Sequence, residues 1–196
     1  MLHRRLLFDD GRGVGEPLNE TGVDGHGLIV RGKHYIYLDR KEPSTVFHRQ
    51  QAVEIFFKPT VSFSELKTSP QNWSSIFHTQ WQAIKSHVPP NINLLTLQQW
   101  GRHKLLIRLE HIFEKNEGPL SKPATISLSD FFISYNITSV EEMVLGANLK
   151  LSDLHRLKWH ANNKFPDVHI KSHHSINVTL YPMEIKTFIV VFNKDK

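Results

Sequence analysis

Apolar and polar side chains alternate along much of this chain with a period of two. The clearest case is residues 104–113, where Leu105, Ile107 and Leu109 fall on one side and Arg108 on the other. Successive side chains of a β-strand point to opposite faces, so this pattern predicts a strand with one buried face and one wet face. A chain built from such strands must pack the apolar faces of its sheets against each other.

Further segments are rich in β-branched and aromatic residues and end at turn residues, which predicts strands at 52–57, 91–100, 125–128, 135–148, 176–180 and 184–192. Residues 27–39 hold two apolar runs around Arg31-Gly32-Lys33 and predict a hairpin. Helical signals are limited to short turns at 64–67 and 152–157. The sequence therefore predicts an all-β fold of antiparallel β-sandwich units.

Residues 58–90 are the least regular part of the chain. They contain four prolines among Ser, Gln and Asn, together with the aromatic residues Phe63, Trp73, Phe77 and Trp81. We expect a long connection between two β units, with its aromatic side chains buried as anchors. The alternative is that these aromatic residues form stacking platforms for sugar rings.

Composition excludes several classes of protein. The net charge is +5, but Lys and Arg are scattered and no nucleic-acid-binding motif is present, so we expect no nucleic-acid partner. Apolar stretches are far shorter than the ~18 residues of a membrane span. The opening residues lack the apolar core of a signal peptide. Cysteine is absent, which removes disulfides and thiolate ligands but does not decide the compartment.

Residues 9–16 (Asp-Asp-Gly-Arg-Gly-Val-Gly-Glu) resemble a phosphate loop at first sight. The last glycine of G-x-G-x-x-G and the strand-then-helix context are missing, so a glycine-shaped turn is the better interpretation. Asp9 and Asp10 are adjacent and would point to opposite faces of a strand. The pair is therefore poorly placed to supply both the nucleophile and the acid of a retaining glycosidase. We expect one of them to hold Arg12 and the other to meet solvent.

Histidine is abundant, with 13 residues, among them the pair His173-His174. None lies in a helical H-x-x-x-H or HEXXH arrangement, so surface histidines are favoured over a metal site. We expect no metal ligands in this chain.

Four N-x-[ST] triplets are candidate glycosylation sites, at Asn19, Asn72, Asn136 and Asn177. Chance alone would supply roughly one or two in a chain of this size. The modest excess favours a lumenal or secreted protein.

Several ordered blocks resemble the late part of lysosomal-type α-mannosidases of glycoside hydrolase family 38. These blocks are residues 3–20, Val-Arg-Gly-Lys-His at 30–34, residues 94–111, Arg-Leu-Lys-Trp at 156–159 and residues 178–188. They follow the order found in the family, whereas residues 40–90 match poorly.

The resemblance implies the end of the central family 38 β-sandwich domain at 1–60, a connecting segment at 61–90, and the C-terminal β-sandwich domain at 91–196. Family members remove terminal α-D-mannose from N-glycan-derived oligosaccharides with retention of configuration. Their aspartate nucleophile and zinc site lie in an N-terminal domain, which a helical bundle follows. The resemblance thus implies that this chain carries no catalytic residue and binds no cofactor. Zinc would be bound in the full-length enzyme. The partners of this chain would be the catalytic and helical domains of that enzyme and a mannose-containing oligosaccharide. The location implied is the lysosome or the secretory route.

In family members the arginine of the Asp-Asp-x-Arg-Gly motif lies on a loop near the active-site pocket, which here implies a role for Arg12, held by Asp10. A purely structural salt bridge in the turn remains the alternative. Two functions stay open: a non-catalytic part of an α-mannosidase, or a standalone carbohydrate-binding β-sandwich. An exposed apolar patch well above ~600 Å² would favour the first.

Overall fold

The computed structural model describes residues 6, 8–13, 15, 17, 19–85, 87–129, 131–155 and 176–194. The chain divides into two compact units, residues 1–38 and residues 39–196. No helix among the described residues has both the length and the apolar composition needed to cross a membrane.

In the first unit, residues 21–27 form a closed turn. Thr21 and Gly27 form an antiparallel bridge, and the Gly22 N–H donates to the His26 carbonyl at 2.7 Å. Residues 28–38 follow as exposed chain without strand pairing among the described residues. The predicted hairpin at 27–39 is therefore wrong for this structure. Its apolar runs pair with no strand in the described part of the chain, and isolated two-stranded hairpins are marginal in water.

The second unit begins with two helices, α1 (Lys41–Phe56) and α2 (Pro70–Ile76). The strand predicted at 52–57 is wrong, because most of this stretch is the last part of α1. Glu42 and Pro43 lie in the first turn, where acidic residues and proline are favoured, and Val46 and Val53 lie on its half-buried side. The short turn predicted at 64–67 is also wrong, since no regular element forms there and α2 begins at Pro70 instead, with the Ser69 hydroxyl as its N-cap.

Six strands follow: β1 (Ile92–Gly101), β2 (Lys104–His111), β3 (Ala124–Ser127), β4 (Tyr135–Met143), β5 (Asn177–Leu180) and β6 (Ile185–Lys194). A short 3₁₀ turn, Leu151–Asp153, lies after β4. It overlaps the turn predicted at 152–157, of which residues 156 and 157 lie outside the described part. These strands lie where the alternation of the sequence predicts them.

The strands form two sheets, and all their pairings are antiparallel. The larger sheet has the order β1-β2-β6-β4 and the smaller one pairs β3 with β5. Their inner faces enclose the core, which contains Ile107, Leu109, Phe188 and Val190 of the large sheet with Ile126, Val178 and Leu180 of the small one. The predicted all-β antiparallel β-sandwich is confirmed.

Candidate functional site

Residues 9–12 fold as a pair of short side-chain-to-backbone turns. The Asp9 carboxylate accepts the Gly11 N–H, and Asp10 Oδ1 accepts the Arg12 N–H at 3.0 Å. Gly11 has φ of +65°, a conformation that glycine adopts without strain. Both carboxylates thus shape the backbone of the loop.

Arg12 is exposed on this loop, and its guanidinium has no carboxylate within 4 Å among the described residues. Asp10 therefore orients Arg12 through its backbone rather than through its charge. A guanidinium displayed this way offers five donors to an incoming acceptor such as a sugar hydroxyl. The sequence predicts a contact between the Asp10 carboxylate and the Arg12 guanidinium, whereas the contact in the structure is made by the Arg12 backbone N–H.

A buried polar cluster lies where β2 ends. His111 is fully buried, its Nε2 lies 2.9 Å from the Lys122 carbonyl, and its Nδ1 lies 3.3 Å from the Phe113 N–H. Because a carbonyl only accepts and an N–H only donates, these two contacts place the ring proton on Nε2, and the 3.3 Å approach of Asn91 Nδ2 to Nε2 then joins two donors and is not a hydrogen bond. Asn91 Nδ2 donates to the Leu120 carbonyl at 3.0 Å and the Lys122 carbonyl at 3.2 Å. The cluster holds the loop between β2 and β3, and it faces the protein interior rather than a ligand.

Sequence reasoning did not single out His111, although a signal was present. It continues the inward series Leu105, Ile107 and Leu109, so the alternation places its ring in the core. The expected surface position holds for His26, His34 and His155, which are exposed. His160 and the pair His173-His174 lie outside the described residues.

A group of charged side chains is buried at the start of β6. Lys186 Nζ lies 3.7 Å from Glu184 Oε1 and 3.9 Å from Glu142 Oε1, and the Lys186 and Glu142 side chains are almost fully buried. These charges offset one another inside the sandwich, as buried charges must. The side chains of Lys186, Glu142 and Glu184 therefore have a structural role in the sandwich.

No group of three or more His, Asp or Glu side chains among the described residues could hold a metal ion. The described part of the chain therefore does not fit a zinc site of three or four protein ligands. The described residues thus provide no set of donor atoms for zinc.

The four candidate glycosylation sites are all exposed. Asn19 lies in the first unit, Asn72 in α2, Asn136 in β4 and Asn177 in β5. Two of their partner hydroxyls are already engaged: Thr138 donates to the Val191 carbonyl at 3.2 Å, and Thr179 lies 2.8 Å from the Thr125 hydroxyl. Both contacts lie on the outer faces of the sheets, so a glycan on any of these asparagines would extend into solvent.

The aromatic residues of the 58–90 segment are exposed, contrary to the prediction that they are buried anchors. Phe63 is 94% exposed and Trp81 79% exposed, while Trp73 and Phe77 contact each other at 5.1 Å between ring centroids. Beside Trp81 lies an open groove lined by Gln82, Ala83, Ile84, Lys85, His87, Val88 and Leu97. Three of its seven lining residues, Gln82, Lys85 and His87, are polar or charged, so the groove is open and mixed in character rather than an enclosed apolar pocket.

The sandwich of the second unit corresponds to a known domain. Residues 91–188 match the model of a family described as the glycosyl hydrolases family 38 C-terminal beta sandwich domain. The chain belongs to glycosyl hydrolase family 38. The match covers β1 to β5 and the beginning of β6, so the family 38 assignment rests on the two-sheet unit whose core is described above.

Named relatives extend the similarity to nearly the whole chain. It is 40% identical to the lysosomal alpha-mannosidase of Bos taurus and 39% identical to that of Homo sapiens, each over 96% of this chain. The alpha-mannosidase of Canavalia ensiformis is 31% identical over 98% of the chain. The chain spans about a fifth of the length of these family 38 relatives, 19% for the bovine and human proteins and 21% for the plant protein.

Proposed function

We propose that this chain is the C-terminal, non-catalytic part of a lysosomal-type α-mannosidase that hydrolyses terminal α-D-mannose from N-glycan-derived oligosaccharides with retention of configuration. The observation that carries the proposal is the family 38 C-terminal sandwich, within a chain that matches relatives named α-mannosidase almost from end to end. The described residues contain no group of three or more His, Asp or Glu side chains that could hold a metal ion. The chain would support and border the active site of the full enzyme.

The nucleophile and the zinc ion would belong to the other part of the enzyme, together with its catalytic and helical domains as partners. The proposed location is the lysosome, or secretion, in line with the names of the relatives. The formal net charge of +5 makes the chain basic.

A hydrolysis assay tests this division of roles. The purified 196-residue chain is incubated with a chromogenic α-mannoside at acidic pH and added zinc, alone and with the remaining part of bovine lysosomal α-mannosidase. We expect no turnover by the chain alone and turnover in the combination. Zinc-dependent turnover by the chain alone would overturn the non-catalytic assignment.

Arg12, displayed by Asp10, is proposed to border the substrate pocket in the assembled enzyme. Hydrogen bonding of a sugar hydroxyl by the guanidinium would be lost or misaligned in Arg12→Lys, because Lys lacks the planar fork. We expect KM for the mannoside to rise about tenfold, equivalent to about 1.4 kcal/mol. Arg102→Lys, at an exposed position between β1 and β2, is the control. An unchanged KM in Arg12→Lys would assign Arg12 to the turn alone.

Asn19, Asn72, Asn136 and Asn177 are proposed as glycan carriers, since all four are exposed. Secretion of the chain from eukaryotic cells behind an added leader, followed by intact-mass measurement, tests each site with an Asn→Gln variant. Asn148→Gln is the matched control, because Asn148 is exposed but is followed by Leu149-Lys150 and not by a Ser or Thr. A variant whose mass changes only by the methylene group that Asn→Gln adds shows that its site is unoccupied.

A second candidate function is carbohydrate binding without hydrolysis, favoured by the exposure of Trp81 beside the 82–97 groove. Titration calorimetry with a mannose oligosaccharide tests it on the chain alone. Binding that Trp81→Ala abolishes and Phe63→Ala leaves intact would favour this function. Absence of heat at millimolar sugar would remove it.

A further inference from the structure

Strand β4 is an edge of the large sheet, and one of the candidate glycosylation sites lies on it. In the order β1-β2-β6-β4, β4 pairs with β6 on one side. On its other side the described residues supply a single bridge, between Met143 and Lys150 at the end of the strand. Residues 135–140 therefore have no strand partner on that side among the described residues, and an edge of this kind is a template for a further strand.

The first part of β4 has the composition of a strand that associates. Residues 135–140 are Tyr-Asn-Ile-Thr-Ser-Val, which is rich in residues that favour strands and contains no charge and no proline. Windows of about 5–7 residues with this character pair readily between chains. The charges that follow are already engaged, because Glu141 Oε1 lies 2.6 Å from Lys150 Nζ and Glu142 is buried beside Lys186. Charge on β4 itself therefore does little to oppose pairing along residues 135–140.

The opposite edge of the large sheet is protected in another way. Strand β1 is also without charged residues, but its pairing with β2 shifts register at two places along its length. Such bulges twist an edge away from an incoming strand. Strand β4 has one shift, between Ile137 and Ser139. No N-x-[ST] triplet lies in β1, so the candidate glycosylation site lies on the edge with fewer interruptions.

The position of Asn136 on β4 suits a glycan that covers this edge. Asn136 is exposed, whereas its neighbour Ile137 is 5% exposed and belongs to the core, so the two side chains lie on opposite faces. Residues directly opposite each other on paired strands have Cβ atoms about 4.5–5.5 Å apart. A glycan linked to Asn136 Nδ2 is much bulkier than that spacing admits. Its first sugars would collide with a strand laid along β4.

We propose that a glycan on Asn136 covers the edge of β4 and prevents a second copy of this chain from pairing with it there. This inference rests on the proposal that Asn136 carries a glycan, and it adds what that glycan does. A second copy presents the same edge, so residues 135–140 of two chains would supply both strands of an antiparallel ladder about a twofold axis. The glycan removes this pairing without any change in the core of the sandwich.

The test uses the full 196-residue chain, secreted from eukaryotic cells behind an added leader. Intact masses of the parent and Asn136→Gln give the occupancy of Asn136, and sedimentation velocity over a range of concentrations gives the self-association constant. We expect a glycan on Asn136 of the parent and self-association at least tenfold tighter in Asn136→Gln. Amide hydrogen exchange of residues 135–140 in Asn136→Gln should slow at least tenfold as the protein concentration rises.

Two further variants at this site keep the test decisive. Thr138→Val removes the triplet without changing Asn136 and should associate as Asn136→Gln does. Thr138→Ser keeps the triplet and should stay as monomeric as the parent.

A charge should replace the glycan in its proposed role. Asn136→Lys has no glycan but places a lysine on the edge, as natural edge strands do, so it should associate at least tenfold less tightly than Asn136→Gln. Asn72→Gln is the matched control, because it removes a candidate glycan from α2, which belongs to neither sheet, and should leave association unchanged. Circular dichroism and the melting temperature report whether each variant is folded.

Four results would overturn the proposal: an Asn136 without a glycan, an Asn136→Gln chain as monomeric as the parent, equal association in Asn72→Gln, or association that leaves residues 135–140 unprotected. An unoccupied Asn136 would remove the proposed glycan site as well. An occupied Asn136 whose loss changes nothing would remove this inference alone. The α-mannosidase assignment is tested separately, by the hydrolysis assay.

Discussion

The Arg49 guanidinium and the Glu117 carboxylate form a two-pronged ion pair that joins α1 to the loop between β2 and β3. Arg49 Nη2 donates to Oε1 at 2.9 Å, and Nε donates to Oε2 at 3.0 Å. Glu117 also accepts the Glu114 N–H at 2.7 Å, so the carboxylate organises its own loop. Both side chains are partly buried, 26% and 19% exposed, which strengthens the pair relative to one in open solvent.

Arg49→Met should destabilise the second unit by about 1 kcal/mol, because it removes the charge and the paired hydrogen bonds but keeps an apolar stem. Urea denaturation of the parent, Arg49→Met, Glu117→Gln and the double variant measures the coupling. The more exposed Lys150–Glu141 pair is the control, and Lys150→Met should have a smaller effect. Strictly additive effects at Arg49 and Glu117 would contradict a direct interaction.

The same pair predicts a dependence on pH. Burial alone would raise the pKa of Glu117, but hydrogen bonds from Arg49 and the Glu114 N–H, with the charges of Arg49 and His48, lower it overall. A lowered pKa in the folded state means that the contribution is fully present above the pKa of an unfolded glutamate, about 4.3, and is lost as pH falls through the folded value. The pair should therefore persist at mildly acidic pH.

Stability curves of the parent and Glu117→Gln between pH 3 and pH 7 check this expectation. The difference in free energy of unfolding should be constant above about pH 5.5 and shrink as the pH falls below about 4.3. A difference that grew toward low pH would show that folding raises the pKa of Glu117 rather than lowering it. Glu141→Gln, on the exposed pair, serves as the reference.

His111 should be among the costliest positions to truncate. His111→Ala leaves the Lys122 carbonyl and the Phe113 N–H without their partner and opens a cavity, so we expect a loss of about 2–4 kcal/mol. His87→Ala, at an exposed position, should change stability by less than about 0.5 kcal/mol. Nitrogen-15 shifts of the His111 ring should report the Nε2–H tautomer, and the opposite tautomer would contradict the assignment.

Much of the sandwich follows from the sequence because its strands are half-buried. The inward positions of β2 and the alternation in β6 identify the core face without knowledge of the partners. Helix α1 was missed because residues 52–57 alone suit a strand, and because the helix has no buried residue and therefore no clear apolar stripe over its 16 residues.

The contacts of the candidate sites could not be predicted in the same way. Arg49 and Glu117 are 68 residues apart in sequence, and nothing in either neighbourhood marks them as a pair. The carboxylate of Asp10 was expected to hold the charge of Arg12, yet a two-residue separation favours the backbone N–H, as in other aspartate turns.

Thr187 offers a change that should stabilise the protein. Its side chain is 1% exposed on β6, and its hydroxyl has no hydrogen-bond partner among the described residues. Replacing the hydroxyl with a methyl group keeps the branched shape that the sheet favours and removes an unsatisfied polar atom. Thr187→Val should therefore raise the free energy of unfolding by about 1 kcal/mol, measured by urea denaturation. Thr138→Val is the matched control on β4, where loss of the hydrogen bond to the Val191 carbonyl should leave stability unchanged or lower it. A destabilised Thr187→Val would show that the hydroxyl has a partner in solution, and hydrogen exchange across β4 and β6 would then locate it.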